Sequence, residues 1–419
     1  MIVPFLLVSA LFALWGLANA VTDPMVQAFK KVLELSNSQA AWVQMAFYGG
    51  YFCMAIPAAL FVRKYSYKAG ILVGLALYAT GALLFYPATL TEQFWFFCLG
   101  LYVLTFGLAF LETTASPYIL AMGDRDTGTQ RLNFAQAFNP LGLLLGLYIA
   151  QQFVLSQLQS DDIATFSSLT EAKKIMIRSA DLMVIRDPYV ILGLVVLVML
   201  VLIALVKMPK AKESDELAPL NKTAAYLITQ KKYTLGVLAQ VFYVGAQIMC
   251  WTYIYQYAEA KGISGETAAN YQFIAFILFL LGRIVGTYLL KGTSAGILLR
   301  NFALFGGLFI LGTIFIEQDY GLYALIMVSF FMSLMFPTIY GEALDGLSEA
   351  ETKIGAAGLV MAIVGGALMP KIQGMIIDFG GSGVADLEII GVPEINFSFI
   401  LPLISFCYIA FYGHFLSKK

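Results

Sequence analysis

The chain has 419 residues, of which 60% are hydrophobic and 12% are charged, and its formal net charge is −1. Soluble domains carry roughly 25% charged residues, so this composition excludes an ordinary water-soluble surface. The balanced net charge and the short basic segments exclude a nucleic-acid-binding protein.

Twelve apolar runs follow one another along the chain, each long enough to cross a hydrocarbon core of about 30 Å as a helix. The first run has no basic segment before it and continues to Phe29, so we interpret it as a permanent helix rather than a secretory signal. The sequence predicts an all-α integral membrane protein. We place its spans near residues 5–29, 38–62, 68–89, 94–122, 130–155, 188–207, 233–258, 267–290, 294–316, 320–344, 354–378 and 395–416.

Lys and Arg residues between the spans predict the orientation of the chain. They cluster after the second, fourth and sixth spans and at the end of the chain, as Arg63, Lys64, Lys68, Arg125, Arg131, Lys207, Lys210, Lys212, Lys222, Lys231, Lys232, Lys418 and Lys419. Cytoplasmic loops carry an excess of these residues, so we expect both termini in the cytoplasm and the protein in a bacterial inner membrane. The segment 156–187 carries charges of both signs, and we expect an external loop there.

The two halves of the chain echo each other. Glu112 precedes Pro117 in the fourth span, and Met332 precedes Pro337 by the same distance in the tenth. The residues at 69–72 and 295–298 share the letters AGIL. This repeat predicts two six-helix bundles, residues 1–207 and 233–419, joined by a cytoplasmic linker at 208–232. Parallel bundles of this kind hold a substrate site near the membrane midplane and alternate in access to the two sides.

Two carboxylates, Asp23 and Glu112, lie inside apolar spans, where a charge costs roughly 2.5–3.5 kcal/mol on insertion scales. An ionisable residue at this depth is a functional-site hypothesis by default. Because removal from water disfavours the charged form, Glu112 could bind a proton on one side and release it on the other. Asp23 could accept hydrogen bonds from a substrate or, with nearby oxygens, hold Na⁺. The residues leave proton and sodium coupling open.

Amides and aromatic rings recur at helical spacing in three spans. Asn19 lies four residues before Asp23, Gln136 three before Asn139, and Gln247 four before Trp251, so each pair shares a helix face. These pairs could be hydrogen bonds between helices. Together with Tyr243, they also suit a sugar, whose hydroxyls need donors and acceptors and whose apolar face stacks on rings.

Other chemistry is poorly supported by the residues. The cysteines Cys53, Cys98, Cys250 and Cys407 lie singly in apolar spans, and the sequence has one histidine. It has neither a metal-ligand set nor a Gly-rich phosphate loop, so we expect no enzyme, no resident cofactor and no metal other than a coupling ion. A multidrug exporter is a distant alternative, since the amide-rich faces do not suit a large apolar pocket.

Several motifs carry a resemblance over essentially the whole chain. They are Asn19-x-x-x-Asp23-Pro24, SYKAG at 66–70, LETTASP at 111–117, RLNFAQAFN at 131–139, YVGAQ at 243–247 with Cys250-Trp251, and PTI at 337–339. The chain resembles the fucose:proton symporter family of the major facilitator superfamily. The resemblance implies a twelve-helix carrier of L-fucose or a related hexose, working as a monomer in the lipid bilayer and driven by a cation gradient, with protons favoured.

The resemblance also implies roles for single residues. Asp23 and Glu112 match the family's essential cavity carboxylates, and Gln136 and Asn139 match its polar residues in the fifth span. The chain departs from the family's pattern at three positions, where Ala20 and Thr22 replace asparagines and Phe336 replaces a tyrosine. A sodium-coupled glucose, galactose or mannose symporter therefore stays open as the alternative.

Overall fold

A computed structural model of the chain describes residues 2–34, 37–160, 168–209, 220–316, 319–381 and 385–418. Some side chains within these ranges lie outside the description, among them that of Asp23. In the described part of the chain, twelve helical stretches are long and apolar enough to cross a membrane. The predicted all-α membrane fold is confirmed.

The described residues of the first half contain eight α-helices. They are α1 (Ile2–Val32), α2 (Asn37–Lys64), α3 (Tyr67–Leu83), α4 (Phe85–Thr91), α5 (Phe94–Ala121), α6 (Gly128–Gln136), α7 (Phe138–Phe153) and α8 (Glu171–Leu205). Ser66 caps α3 by accepting a hydrogen bond from the Ala69 N–H, and Lys68 donates to the Ala204 and Val206 carbonyls at the end of α8.

The second half contains eleven helices and one small hairpin in the described residues. The helices are α9 (Leu220–Thr229), α10 (Lys231–Thr252), α11 (Ile254–Glu259), α12 (Gly265–Leu289), α13 (Ala295–Phe315), α14 (Asp319–Met332), α15 (Met335–Leu344), α16 (Glu349–Met361), α17 (Gly365–Ile377), α18 (Glu394–Ser398) and α19 (Ile400–Ser417). The hairpin pairs β1 (Glu388–Ile389) with β2 (Val392–Pro393) in antiparallel register.

Packing divides the chain into two compact units. Unit 1 contains Met1–Tyr118 and Leu141–Ala211, and unit 2 contains Ile119–Pro140 and Lys212–Lys419. Within unit 2, α6 from the first half of the chain packs against α12 and α15 from the second half. The bundle boundaries at 207 and 233 stay a prediction, and α9 falls inside the predicted linker.

Prolines explain three breaks within the spans. A proline has no N–H, so the carbonyl four residues earlier loses its helical donor. The helices α3, α6 and α14 each end within one residue of such a carbonyl, before Pro87, Pro140 and Pro337 respectively. Pro57 and Pro117 lie inside α2 and α5, which continue through them. A proline therefore follows the end of a helix at three positions and lies within a continuous helix at two others.

Gly142 and Gly282 lie where two helices approach each other closely. A Cβ atom at Gly142 of α7 would lie 1.9 Å from the Ala13 carbonyl oxygen of α1. A Cβ atom at Gly282 of α12 would lie 2.1 Å from the Phe330 carbonyl oxygen of α14. A side chain cannot occupy either position without moving a backbone, so glycine sets the distance between these helices.

The prediction of a loop at 156–187 is wrong for residues 171–187. The helix α8 begins at Glu171 and continues through Pro188 into the sixth span. Two of its cationic residues are paired, because Lys174 and Arg178 bond Glu34 at 3.2 and 3.3 Å. Charge alone had suggested a loop, whereas tertiary pairing allows a helix there.

Candidate functional site

Glu112 lies on α5 in unit 1 and is almost completely buried, with 2% of its surface exposed. The Ser116 hydroxyl, one turn later, donates to Glu112 Oε1 at 3.3 Å. No cationic side chain among the described residues forms an ion pair with it. A carboxyl group in this position has lost its water and gained no cationic partner among the described residues, so only the serine hydroxyl offsets its burial.

A buried tyrosine, itself bonded to a tryptophan, lies close to this carboxyl group. Tyr51 of α2 is 1% exposed and is within electrostatic range of Glu112. The Trp15 indole of α1 donates a hydrogen bond to the Tyr51 hydroxyl. Tyr51 therefore connects the fourth-span acid to the Trp15 indole of α1 within unit 1.

The first-span candidates are described only in part. Asn19 lies on α1, one turn after Trp15, and is half-buried in unit 1. The backbone of Asp23 continues the same helix, but its side chain lies outside the described residues. The predicted helical spacing of Asn19 and Asp23 is present, while the predicted sodium site at Asp23 cannot be placed.

Gln136 and Asn139 lie on opposite sides of the break between α6 and α7, in unit 2. They are 2% and 6% exposed. The break follows from Pro140, which leaves the Gln136 carbonyl without a helical donor. The Arg283 Nη1 group donates to this carbonyl at 3.2 Å. Gln136 and Asn139 were predicted to share one face of a continuous helix. In the structure, a break between α6 and α7 separates them.

Three further candidates lie along one side of α10, also in unit 2. Tyr243, Gln247 and Trp251 are spaced by four residues, so their side chains project from neighbouring turns. Tyr243 and Trp251 are buried and Gln247 is half-buried. The Tyr243 hydroxyl has no hydrogen-bond partner among the described residues. Its ring lies 6.0 Å from the Phe336 ring, edge to face.

Trp251 is held by contacts on several sides. Its indole N–H donates to the Ser329 hydroxyl of α14 at 3.1 Å. The rings of Phe276 and Phe279 approach it edge to face, with centroids 4.7 and 5.1 Å away. Ser329 was not identified from the sequence, since nothing in the tenth span pointed to it.

Arg283 was missed by the sequence analysis, although a signal was present. It is the one basic residue of the helix Gly265–Leu289 and lies in its apolar C-terminal half, and it is 2% exposed. A charge inside a span marks a functional hypothesis for arginine as much as for aspartate. Its guanidinium lies over the Phe279 ring at 5.1 Å and within electrostatic range of Tyr243.

The predicted site residues are thus distributed over both units. Unit 1 contains Asn19, Glu112 and the Asp23 backbone, while unit 2 contains the five others. Their roles in substrate or ion binding stay predictions. Among the residues that the structure describes, no group of three His, Cys, Asp or Glu side chains could hold a metal ion.

Comparison with known proteins decides the family. A family model described as Major Facilitator Superfamily matches residues 5–370. The chain belongs to the Major Facilitator Superfamily. This assignment confirms the superfamily suggested by the sequence motifs and makes the chain a multi-pass membrane protein.

Relatives within the Major Facilitator Superfamily are similar over almost their full lengths. The chain is 58% identical to the L-fucose-proton symporter of Haemophilus influenzae, covering 98% of this chain and 96% of that protein. It is 34% identical to the L-fucose-proton symporter of Escherichia coli, with 91% and 88% covered. The crystal structure of the transporter FucP in the outward conformation matches with a TM-score of 0.89 at 33% identity, covering 99% and 98%.

Proposed function

We propose that this protein is a secondary active transporter that imports L-fucose, or a related hexose, by symport with protons. The observation that carries the proposal is Glu112, a carboxyl group buried in a membrane helix with a serine hydroxyl as its hydrogen-bond donor and no cationic partner among the described residues. Two L-fucose-proton symporters at 58% and 34% identity support the substrate and the ion.

Glu112 would be the group that carries the proton. A proton taken up by this carboxyl group from the external side would remain bound until access to the cytoplasm opens. Coupling requires that protonation change either the affinity for sugar or the balance between conformations, and the sugar must affect proton binding by the same factor. Any substitution that removes the titrating proton should therefore uncouple sugar movement from the proton gradient.

The sugar would be bound by the amides and aromatic rings. Asp23 and Asn19 would accept and donate hydrogen bonds to hydroxyls, together with Gln136, Asn139 and Gln247. The Tyr243 hydroxyl would add a further polar contact, since it lacks a partner among the described residues. Trp251 would supply an apolar surface for the C–H face of the ring.

The remaining expectations belong to the same proposal. We infer a monomer in the bacterial inner membrane with both termini in the cytoplasm, on the distribution of Lys and Arg. It would act without a cofactor other than the coupling ion and without catalysing a chemical reaction.

A sodium-coupled hexose symporter is the second candidate, and one contact favours it. Phe336, which replaces a tyrosine of the fucose family's pattern, packs against Tyr243 and has no hydroxyl to offer a sugar. The loss of this polar group and the departures at Ala20 and Thr22 would alter which hydroxyls are recognised. A change of sugar could accompany a change of ion at Asp23.

Uptake of radiolabelled L-fucose into proteoliposomes tests the proposal. A proton gradient and a sodium gradient are imposed separately, with D-glucose, D-galactose and D-mannose as unlabelled competitors. We expect accumulation with the proton gradient alone and little competition by the three hexoses. Accumulation that requires sodium, or a hexose that displaces L-fucose, would support the second candidate. Counterflow of preloaded sugar would distinguish a carrier from a channel.

A further inference from the structure

The break between α6 and α7 leaves a buried acceptor that the helix cannot satisfy. Pro140 has no N–H, so the carbonyl of Gln136 receives no bond from the position four residues later. A buried carbonyl without a donor loses its hydration without compensation. In unit 2 this carbonyl accepts a hydrogen bond from Arg283 Nη1 at 3.2 Å, across 147 positions of sequence.

Burial of the arginine that donates this bond costs free energy, because its charge is removed from water. Arg283 is 2% exposed and forms no ion pair with any acid in the described part of the chain. Its Nε atom has no hydrogen-bond partner there. The charge is supported by the Phe279 ring one turn earlier, at 5.1 Å. A buried cation of this kind requires a reason beyond packing.

We propose that Arg283 is a positioning residue that replaces the donor missing from Pro140. Its bond to the Gln136 carbonyl fixes the backbone at the break, where the next three residues lead to Asn139. The side chains of Gln136 and Asn139 leave the backbone on either side of this point, so their directions depend on the bend being held at one angle. This inference rests on the proposed function only in the experiments that measure sugar affinity.

A double-mutant cycle between Arg283 and Pro140 tests this role. R283Q in the wild-type background is expected to weaken L-fucose binding about tenfold, the order expected when one buried carbonyl loses its donor. P140A restores a backbone N–H that can reach the Gln136 carbonyl. In the P140A background, R283Q is therefore expected to weaken binding less than about twofold, a strong non-additivity.

Two comparisons make the cycle specific. P337A removes the proline at the α14–α15 break, also in unit 2, and should not lessen the effect of R283Q. R283K keeps a cationic N–H donor on a side chain of similar length and should recover part of the affinity, which a merely space-filling role would not predict. An equal effect of R283Q in the wild-type and P140A backgrounds would overturn the proposal, because Arg283 would then act independently of the break.

Amide hydrogen exchange over residues 134–142 gives a readout that needs no sugar. R283Q should accelerate exchange at the break, and P140A should remove that acceleration. If wild-type protein binds no L-fucose while this exchange pattern holds, the proposed substrate fails and the positioning role stands. If L-fucose binds but R283Q and R283K leave both exchange and affinity unchanged, the positioning role fails alone.

Discussion

The Trp251 indole N–H donates to the Ser329 hydroxyl at 3.1 Å, linking α10 to α14 within unit 2. The edges of Phe276 and Phe279 lie against the same indole. A single hydrogen bond and two ring contacts therefore fix the orientation of the aromatic side chain that we propose contacts the sugar. The orientation comes from three separate stretches of the second half of the chain.

Ser329→Ala should weaken sugar binding without unfolding the protein. The substitution leaves the indole N–H without this acceptor, which costs about 1–3 kcal/mol if the ring stays in place and otherwise lets it turn. We expect a several-fold rise in the Kd for L-fucose, measured by binding to the purified protein. Ser405→Ala is the matched control, because among the described residues that buried hydroxyl bonds only the Leu401 carbonyl of its own helix. Equal Kd values for wild type and Ser329→Ala would contradict the positioning of Trp251 by this bond.

Glu112→Gln should separate sugar exchange from proton-driven accumulation. Glutamine keeps the shape and a hydrogen-bond acceptor for Ser116 but has no proton to release. We expect counterflow exchange of L-fucose to persist while uptake driven by a proton gradient is lost, both measured in proteoliposomes. Unchanged proton-driven accumulation would rule out Glu112 as the proton carrier.

Glu394→Gln is the matched control for that experiment. Glu394 is also fully buried, but its two carboxylate oxygens accept the backbone N–H groups of Gly380 and Asp386 at 2.9 Å each. Its role in holding a loop is structural, so its replacement should reduce stability and leave the coupling ratio unchanged. Loss of coupling in both variants would indicate general damage rather than a proton site.

Gly142→Ala should destabilise unit 1. The added Cβ atom would lie 1.9 Å from the Ala13 carbonyl oxygen, and a backbone atom cannot move aside as a side chain can. Overpacking of this kind costs typically about 1–3 kcal/mol, so we expect a lower midpoint of thermal unfolding in detergent. Gly307→Ala provides the comparison, since its nearest neighbours would be 3.7 Å away and the substitution should be neutral or stabilising.

Asp181→Ala should release the backbone of residues 159 and 160 from α8. The buried carboxylate accepts the backbone N–H groups of Gln159 and Ser160 at 2.9 Å each, and the substitution would leave both without this partner. We expect a loss of about 1–3 kcal/mol in unfolding free energy, partly recovered by Asp181→Asn, which keeps one acceptor. Glu34→Gln removes the more exposed ion pairs with Lys174 and Arg178 and should change stability by less than about 1 kcal/mol.

Some features of the site could be inferred from the sequence because their causes are local. Membrane spans follow from the length of apolar runs, and the isolation of Glu112 follows from the apolar letters around it. The helix break beside Gln136 could also be inferred from the sequence, since Pro140 lacks a backbone N–H in any tertiary environment. The polar segment 171–187 was misjudged because two of its charges, on Lys174 and Arg178, pair with Glu34, which lies far away in sequence.

The sequence by itself therefore determined the twelve spans, the buried acid and the superfamily, because each depends on residue type over short stretches. Tertiary structure alone decided that Arg283 bonds the Gln136 carbonyl, that Ser329 holds Trp251, and that residues 119–140 pack with the second half of the chain. Such contacts join residues many positions apart, and the free energy of each depends on a distance and an angle that no local pattern specifies.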